Sequence, residues 1–147
     1  MKIISTNREA KFQYHLEERF EAGLILVGAE VKSLREGKVN LKDSFARFKG
    51  DELYLMNCHI SAYSHARIED LEARRDIKLL LQKAELHKIM GKVREKGYTL
   101  IPTQLYFNQR GFAKVEIALA HGKKKHDKRE DIKRREVDRE LKRMLKK

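Results

Sequence analysis

Among the side chains that could bind a metal ion or act as a nucleophile, this chain has six histidines and one cysteine. The histidines show no H-x-x-x-H spacing, and a lone cysteine leaves no Cys-x-x-Cys pair, so the sequence offers no zinc motif. Cys58 and His59 are adjacent and would point to opposite faces of a strand, which is a poor geometry for a nucleophile and its base. We therefore expect Cys58 to be a buried structural residue and the protein to hold no metal.

Longer catalytic motifs are missing as well. The sequence contains no Walker loop, no G-x-G-x-x-G and no G-x-S-x-G. A metal-dependent ribonuclease is the alternative from the enzyme class, because Asp43, Asp51 and Glu52 could assemble in space. We expect a binding protein that is not an enzyme and needs no cofactor.

The charge pattern indicates a polyanionic partner. The net charge is +12, and residues 121–147 contain 13 Lys and Arg against 6 Asp and Glu, which accounts for +7 of it. This tail has two interpretations. A disordered basic arm would release counterions from any phosphate backbone. Alternatively, the tail would form a helix on binding, because four apolar residues fall on one helical face, namely Val137, Leu141, Met144 and Leu145.

Strands and a short helix must position the residues of the first half. An alternating pattern followed by an apolar run predicts one long or bent strand over residues 11–27, with Gly23 as a candidate bulge. Residues 29–37 have the pattern of a two-turn helix that stops at its glycine. A hairpin that turns at residues 49–52 follows, with Ile60 on its second strand.

The second half of the sequence predicts a loop over residues 61–76, a strand over 77–81, a helix over 82–97 and a hairpin over 98–120. Pro102, the only proline, must lie at an edge or a bulge, because it cannot donate to a strand ladder. The alternation of the last strand turns Val115 and Ile117 one way and Lys114 the other, so we expect Lys114 to be exposed.

These elements predict a mainly β fold, a small antiparallel barrel of the oligonucleotide-binding (OB) type with one longer and one short helix. We expect residues 1–120 to form this barrel. Residues 121–147 would be a basic C-terminal tail, disordered when free and helical when bound. The single cysteine and the lack of an apolar run of membrane length favour a cytoplasmic protein.

Several motifs carry a family resemblance. They are the run EERFEAGLILVGAEVKSLREGKVNLKDS, then KLLL, KGYTLIP and HGKKKHDKREDIKRR, and they follow the family's order from about Thr6 to Arg135. In these motifs the chain resembles the small protein B (SmpB) family, the protein partners of transfer-messenger RNA in bacterial trans-translation.

The resemblance implies a function and a set of partners. The barrel would bind the tRNA-like domain of transfer-messenger RNA, and the tail would enter the empty mRNA channel of a stalled ribosome, against small-subunit rRNA. The same complex would contain elongation factor Tu with GTP, and its delivery would rescue the ribosome and tag the incomplete peptide. Neither DNA nor a membrane is an expected partner. A general barrel for single-stranded RNA or the ribosome is the alternative among binding proteins.

The resemblance also implies RNA-binding residues in the barrel, namely Asn7, Glu21, Arg35, Leu80 and Lys114. Glu21 would accept a hydrogen bond from a base edge or a ribose hydroxyl, and Leu80 would support the surface by packing. Lys114 and Arg35 suit phosphate.

In the tail, the implied ribosome-binding residues are Gly122, Lys123, Lys124, His126, Asp127, Lys128, Arg129, Ile132 and Lys133. Gly122 matches a junction glycine whose backbone freedom would let the tail swing away from the barrel. His126 matches a position where the family has a ring that can stack on RNA. One departure lies in the stretch EDLEARRDIKLLL, residues 69–81, where relatives typically carry a proline-containing loop and two spaced arginines. This chain has no proline there and has Asp76 and Ile77 in the basic stretch, which weakens the expectation of an RNA contact from the loop at residues 61–76.

Overall fold

A computed structural model of the chain describes residues 1–61 and 75–122. Within these residues the fold is mainly β, with nine strands and three helices. The elements in chain order are β1 (Lys2–Thr6), α1 (Ala10–Gln13), β2 (Tyr14–Leu24), α2 (Gly28–Arg35), β3 (Val39–Asn40), β4 (Phe45–Lys49), β5 (Glu52–Met56), β6 (His59–Ile60), β7 (Ile77–Leu80), α3 (Lys83–Lys96), β8 (Thr99–Phe107) and β9 (Ala113–Gly122).

Six of these strands close into an antiparallel barrel. The strands β8, β4, β5, β7, β2 and β9 pair in that order, and β9 pairs back with β8. The first strand, β1, adds to the outside edge of β8, while β3 and β6 form a separate two-stranded ribbon. The predicted OB-type barrel with a longer and a short helix, α3 and α2, is confirmed.

The core fills the barrel because apolar residues alternate along its strands. Val115, Ile117 and Leu119 of β9 are all fully buried, and Leu53 and Leu55 face them from β5. Each such side chain contributes about 1.5–3 kcal/mol of burial free energy. The helix α3 packs one apolar side against this core, and Ile89 on that side is fully buried.

Two irregularities shape the strands next to the candidate site. The register of β8 against β9 shifts between Pro102 and Gln104, so the proline lies at a bulge, as predicted. The register of β2 shifts between Leu16 and Arg19, whereas Gly23 pairs regularly on both sides. The predicted bulge at Gly23 is therefore wrong.

Four features of the described chain differ from the sequence-based expectation. The strand predicted over residues 11–27 is shorter, since its first residues lie in α1 and β2 ends at Leu24. The edge strand β1 and the short helix α1 have no clear apolar period, since β1 has no fully buried residue. The predicted second hairpin strand does not run on to Ile60. It ends at Met56, because Asn57 adopts a left-handed backbone with φ of 59°, and Ile60 belongs instead to β6.

The loop predicted over residues 61–76 lies mostly outside the described residues, but Arg75 and Asp76 at its end are non-regular chain. The guanidinium of Arg75 donates to both carboxylate oxygens of Glu30, at 2.9 and 2.6 Å, and to the carbonyl oxygen of Ile25 at 3.0 Å. Glu30, which is 1% exposed, also accepts from the backbone N–H of Val27 at the start of α2. This bidentate pair fixes the chain that enters β7 against α2.

Candidate nucleic-acid interface

One cross-strand row crosses the outer face of the barrel over five strands. Ile3 of β1 pairs with Tyr106 of β8, Tyr106 with Lys114 of β9, Lys114 with Gly23 of β2, and Gly23 with Leu80 of β7. Directly paired residues point to the same face of a sheet, so these five residues form a continuous line, called the outer row below.

Gly23 has no side chain, which leaves space in the middle of the outer row. The ammonium of Lys114 lies in this space. A Cβ atom at residue 23 would lie 3.5 Å from the Nζ of Lys114 and 3.4 Å from the Cβ of Leu80. The ammonium of Lys114 therefore lies over Gly23 of β2, on the side where Leu80, a residue that is 52% exposed, also approaches. Lys114 itself is half-buried rather than fully exposed as the alternation predicted, because its aliphatic stem lies along the sheet.

Glu21 lies next to the outer row and is held by a tyrosine. Its carboxylate accepts a hydrogen bond from the hydroxyl of Tyr106, which is only 5% exposed. Burial and this hydrogen bond to Glu21 both raise the pKa of Tyr106 above its usual value, so the phenol stays protonated and remains a donor. Glu21 itself is exposed, which leaves its carboxylate accessible to a ligand.

Three of the residues implied by the resemblance thus meet in one place. Glu21, Leu80 and Lys114 line a shallow cleft of about 400 Å³, together with Gln82 and Glu85 from the start of α3. Among the described residues, Lys114 makes no ion pair, so its charge is available to a phosphate. The cleft combines one cation, acceptor carboxylates and an exposed apolar side chain, a set that suits the backbone and sugar of RNA.

Asn7 and Arg35 are not part of this cleft. The side-chain amide of Asn7 donates to the carbonyl oxygen of Pro102 at 2.9 Å, and its backbone N–H donates to that of Thr103 at 2.8 Å. These bonds tie Asn7 to the bulge of β8. Arg35 lies exposed in the last turn of α2.

Several other charged side chains of the described barrel are paired within the protein. Lys88 and Lys92 of α3 both contact the carboxylate of Glu18. On the side of β5 and β7, Lys78 pairs with Glu52 at 3.0 Å. Surface pairs of this kind contribute little to stability, but they lower the charge available to a ligand.

No part of the described chain resembles a metal-dependent active site. In residues 1–61 and 75–122 there is no group of three or more His, Cys, Asp or Glu that could hold a metal ion. Of the carboxylates proposed for a ribonuclease, Asp43 lines a cleft beside α1, whereas Glu52 accepts hydrogen bonds from Tyr54 and Lys78. Cys58 is fully buried, as expected. None of the described helices is long and apolar enough to cross a membrane.

Sequence reasoning did not single out Arg8, Lys11, Arg19 or Tyr106, which the structure places around the interface. Tyr106 gave no signal, because it reaches Glu21 across 85 positions of chain. Of the implied tail residues, only Gly122 lies within the described chain, where it still pairs with Tyr14 at the end of β9. The others, from Lys123 to Lys133, lie outside it.

Known proteins match nearly the whole chain. The family model described as SmpB protein matches residues 4–147. An SsrA-binding protein of Symbiobacterium thermophilum is 53% identical over 142 residues, which cover 97% of this chain and 90% of the relative. One of Thermosipho melanesiensis is 52% identical over 146 residues and 99% of both chains.

A solved structure, "tmRNA-SmpB: a journey to the center of the bacterial ribosome", contains a chain that is 50% identical, with a TM-score of 0.68 over 82% of this chain and 85% of that one. The resemblance seen in the motifs is confirmed by these matches. The chain belongs to the SmpB protein family.

Proposed function

We propose that this protein is an RNA-binding factor that binds the tRNA-like domain of transfer-messenger RNA and delivers it to stalled ribosomes. The observation that carries the proposal is the outer row, where Lys114, which makes no ion pair with another described residue, lines one cleft with Leu80 and Glu21. The name of the relatives, SsrA-binding protein, and that of the similar solved structure, which mentions tmRNA-SmpB and the bacterial ribosome, support the RNA and the ribosome as partners. The family consists of binding factors, so the protein is not an enzyme.

Each residue of the cleft has a distinct part in this proposal. Lys114 contacts a phosphate, and Glu21 accepts a hydrogen bond from a ribose hydroxyl or a base edge. Leu80 offers an apolar surface against a sugar or a base. Arg35, on α2, supplies a separate phosphate contact outside the cleft.

The tail has the second part in the proposal. Residues 123–147, with Lys123, Lys124, His126, Asp127, Lys128, Arg129, Ile132 and Lys133, enter an mRNA channel that lacks message and form a helix against rRNA phosphates. Its net positive charge suits such a channel. Residues 1–120 then act as the RNA-binding barrel, in the cytoplasm and in one complex with elongation factor Tu and GTP.

The substitution Lys114→Ala tests the carrying observation. Affinity for the isolated tRNA-like domain is measured over a series of salt concentrations, next to the same measurement on an ordinary tRNA. Loss of one phosphate contact should lower the slope of log K against log salt by roughly 0.7–0.9. The control is Lys88→Ala, which removes a cation on α3 that already contacts the carboxylate of Glu18.

An unchanged slope for Lys114→Ala would remove the phosphate contact from the proposal. Equal affinity of the wild type for both RNAs would favour the alternative, a general RNA-binding barrel without preference for the tRNA-like domain.

A further inference from the structure

Two clefts lie on either side of Asn7 and α1, and they carry opposite charge. The first, of about 270 Å³, is lined by Glu9 and Asp43 as its charged residues. The second, of about 240 Å³, is lined by Arg8, Lys11 and Arg19. They are called the acidic cleft and the basic cleft below. Arg8, Glu9 and Lys11 are close in sequence, but the two basic side chains line one cleft and the acidic side chain lines the other.

Most of the positive charge of the basic cleft is available. Arg8 and Lys11 are exposed, and neither makes an ion pair with another described residue. Arg19 is engaged, since its guanidinium lies 2.9 Å from the carboxylate of Glu116. Three cations therefore face one carboxylate, which leaves two positive charges without a partner among the described residues.

The negative charge of Glu116 does not prevent the basic cleft from binding an anion. Burial alone would raise the pKa of Glu116, but hydrogen bonds from Thr103 and Arg19 hold this pKa below its usual value. The carboxylate is thus ionised at neutral pH and is compensated inside the protein, with a further contact from Gln104 at 3.3 Å. Its charge is cancelled before a ligand arrives.

The basic cleft is continuous with the interface around Lys114. A second cross-strand row joins Thr6, Gln104, Glu116 and Glu21. It lies two residues along β9 from the outer row, a distance of about 7 Å. Thr6, Gln104 and Glu116 line the basic cleft, while Glu21 lines the cleft of Lys114. One strand of RNA can therefore contact both.

We propose that the basic cleft is a phosphate-binding site for RNA, with Arg8 and Lys11 as its ligands. This proposal rests on the proposed function, because it assumes RNA on the same face as Lys114. The bonds of Asn7 to the carbonyl oxygens of Pro102 and Thr103 fix the turn that presents Arg8. Asn7 is then a positioning residue, and the arginine beside it makes the contact.

The test uses the full chain with Arg8→Ala, Lys11→Ala and the double variant. Binding to the tRNA-like domain is measured across salt concentrations, and thermal unfolding checks the fold. Each single variant should lower the salt slope by roughly 0.7–0.9, and the double variant by about twice that. The matched control is Lys42→Ala, whose ammonium lies 3.9 Å from Glu9 on the acidic side of α1 and should leave the slope unchanged.

Lys114→Ala in the same series separates the two proposals. If Lys114→Ala lowers the salt slope as expected while Arg8→Ala and Lys11→Ala leave it unchanged, the basic cleft is not a phosphate-binding site. The proposed function would still stand. Losses for Arg8 and Lys11 without a loss for Lys114 would support the cleft and contradict the Lys114 contact. A loss for Lys42→Ala equal to those of Arg8 and Lys11 would overturn the cleft, because charge alone would then explain the effect.

Discussion

At the scale of single residues, Tyr106 connects the barrel wall to the interface. Its hydroxyl donates to Glu21, and its ring lies between Ile3 and Lys114 in the outer row. We expect Tyr106→Phe to keep the ring packing and free the carboxylate of Glu21, which weakens binding of the tRNA-like domain several-fold. Stability should fall by about 0.5–1.5 kcal/mol, the net value of one hydrogen bond. Affinity measurements and urea unfolding check the two effects separately.

Tyr54→Phe is the matched control for Tyr106. The hydroxyl of Tyr54 donates to Glu52 at 2.7 Å on another face of the barrel, so its loss should leave RNA affinity unchanged. In a Glu21→Gln background, Tyr106→Phe should have a much smaller effect on affinity, since the carboxylate through which it acts is absent. Equal effects in both backgrounds would mean that Tyr106 does not act through Glu21.

At the scale of elements, the pair of Arg75 and Glu30 holds α2 and the start of β7 together. Arg75→Ala leaves the carboxylate of Glu30, 1% exposed, without its main partner. An uncompensated buried charge costs about 3–5 kcal/mol, and the 29% exposure of the Arg75 side chain favours the lower end of that range. Urea unfolding measures this loss.

The control for this pair is an exposed one. Lys78→Ala removes an ion pair with Glu52 whose side chains are 38% and 52% exposed, so the change in stability should be small. If Arg75→Ala were no more destabilising than Lys78→Ala, the pair with Glu30 would not fasten α2.

Elements with a regular apolar period could be predicted from the sequence, and those fixed by distant contacts could not. Val115, Ile117 and Leu119 fall at alternate positions, and this alternation predicted the strand β9. Gly97, with φ of 65°, ends α3 as expected. By contrast, β1 is defined by pairing with β8, about a hundred positions away.

The same distinction holds for the candidate site. Glu21, Leu80 and Lys114 could be selected by family motif, but their meeting in one cleft depends on the closure of three strands. The basic cleft gave no periodic signal, because a turn and a short helix place Arg8 and Lys11 beside β2. Its charge separation becomes visible only in three dimensions.

At the scale of the whole molecule, the charge divides between the barrel and the tail. The first 120 residues hold 21 Lys and Arg against 16 Asp and Glu, and many of the described pairs cancel one another. Of the described cations that make no ion pair with another described residue, Arg8, Lys11 and Lys114 line the two adjoining clefts. We therefore propose that the barrel recognises the folded RNA and that the excess charge of residues 121–147 serves a second partner.

Removal of residues 123–147 tests this division. The truncated protein keeps β9 complete to Gly122, so the barrel should fold and bind the tRNA-like domain within about tenfold of the full chain. Tagging of incomplete peptides on stalled ribosomes should stop, because the part proposed to occupy the mRNA channel is missing. Binding assays at two salt concentrations and a reconstituted tagging assay measure the two outcomes. A collapse of RNA affinity on truncation would show instead that the tail is a nonspecific electrostatic arm, whose counterion release supplies most of the binding.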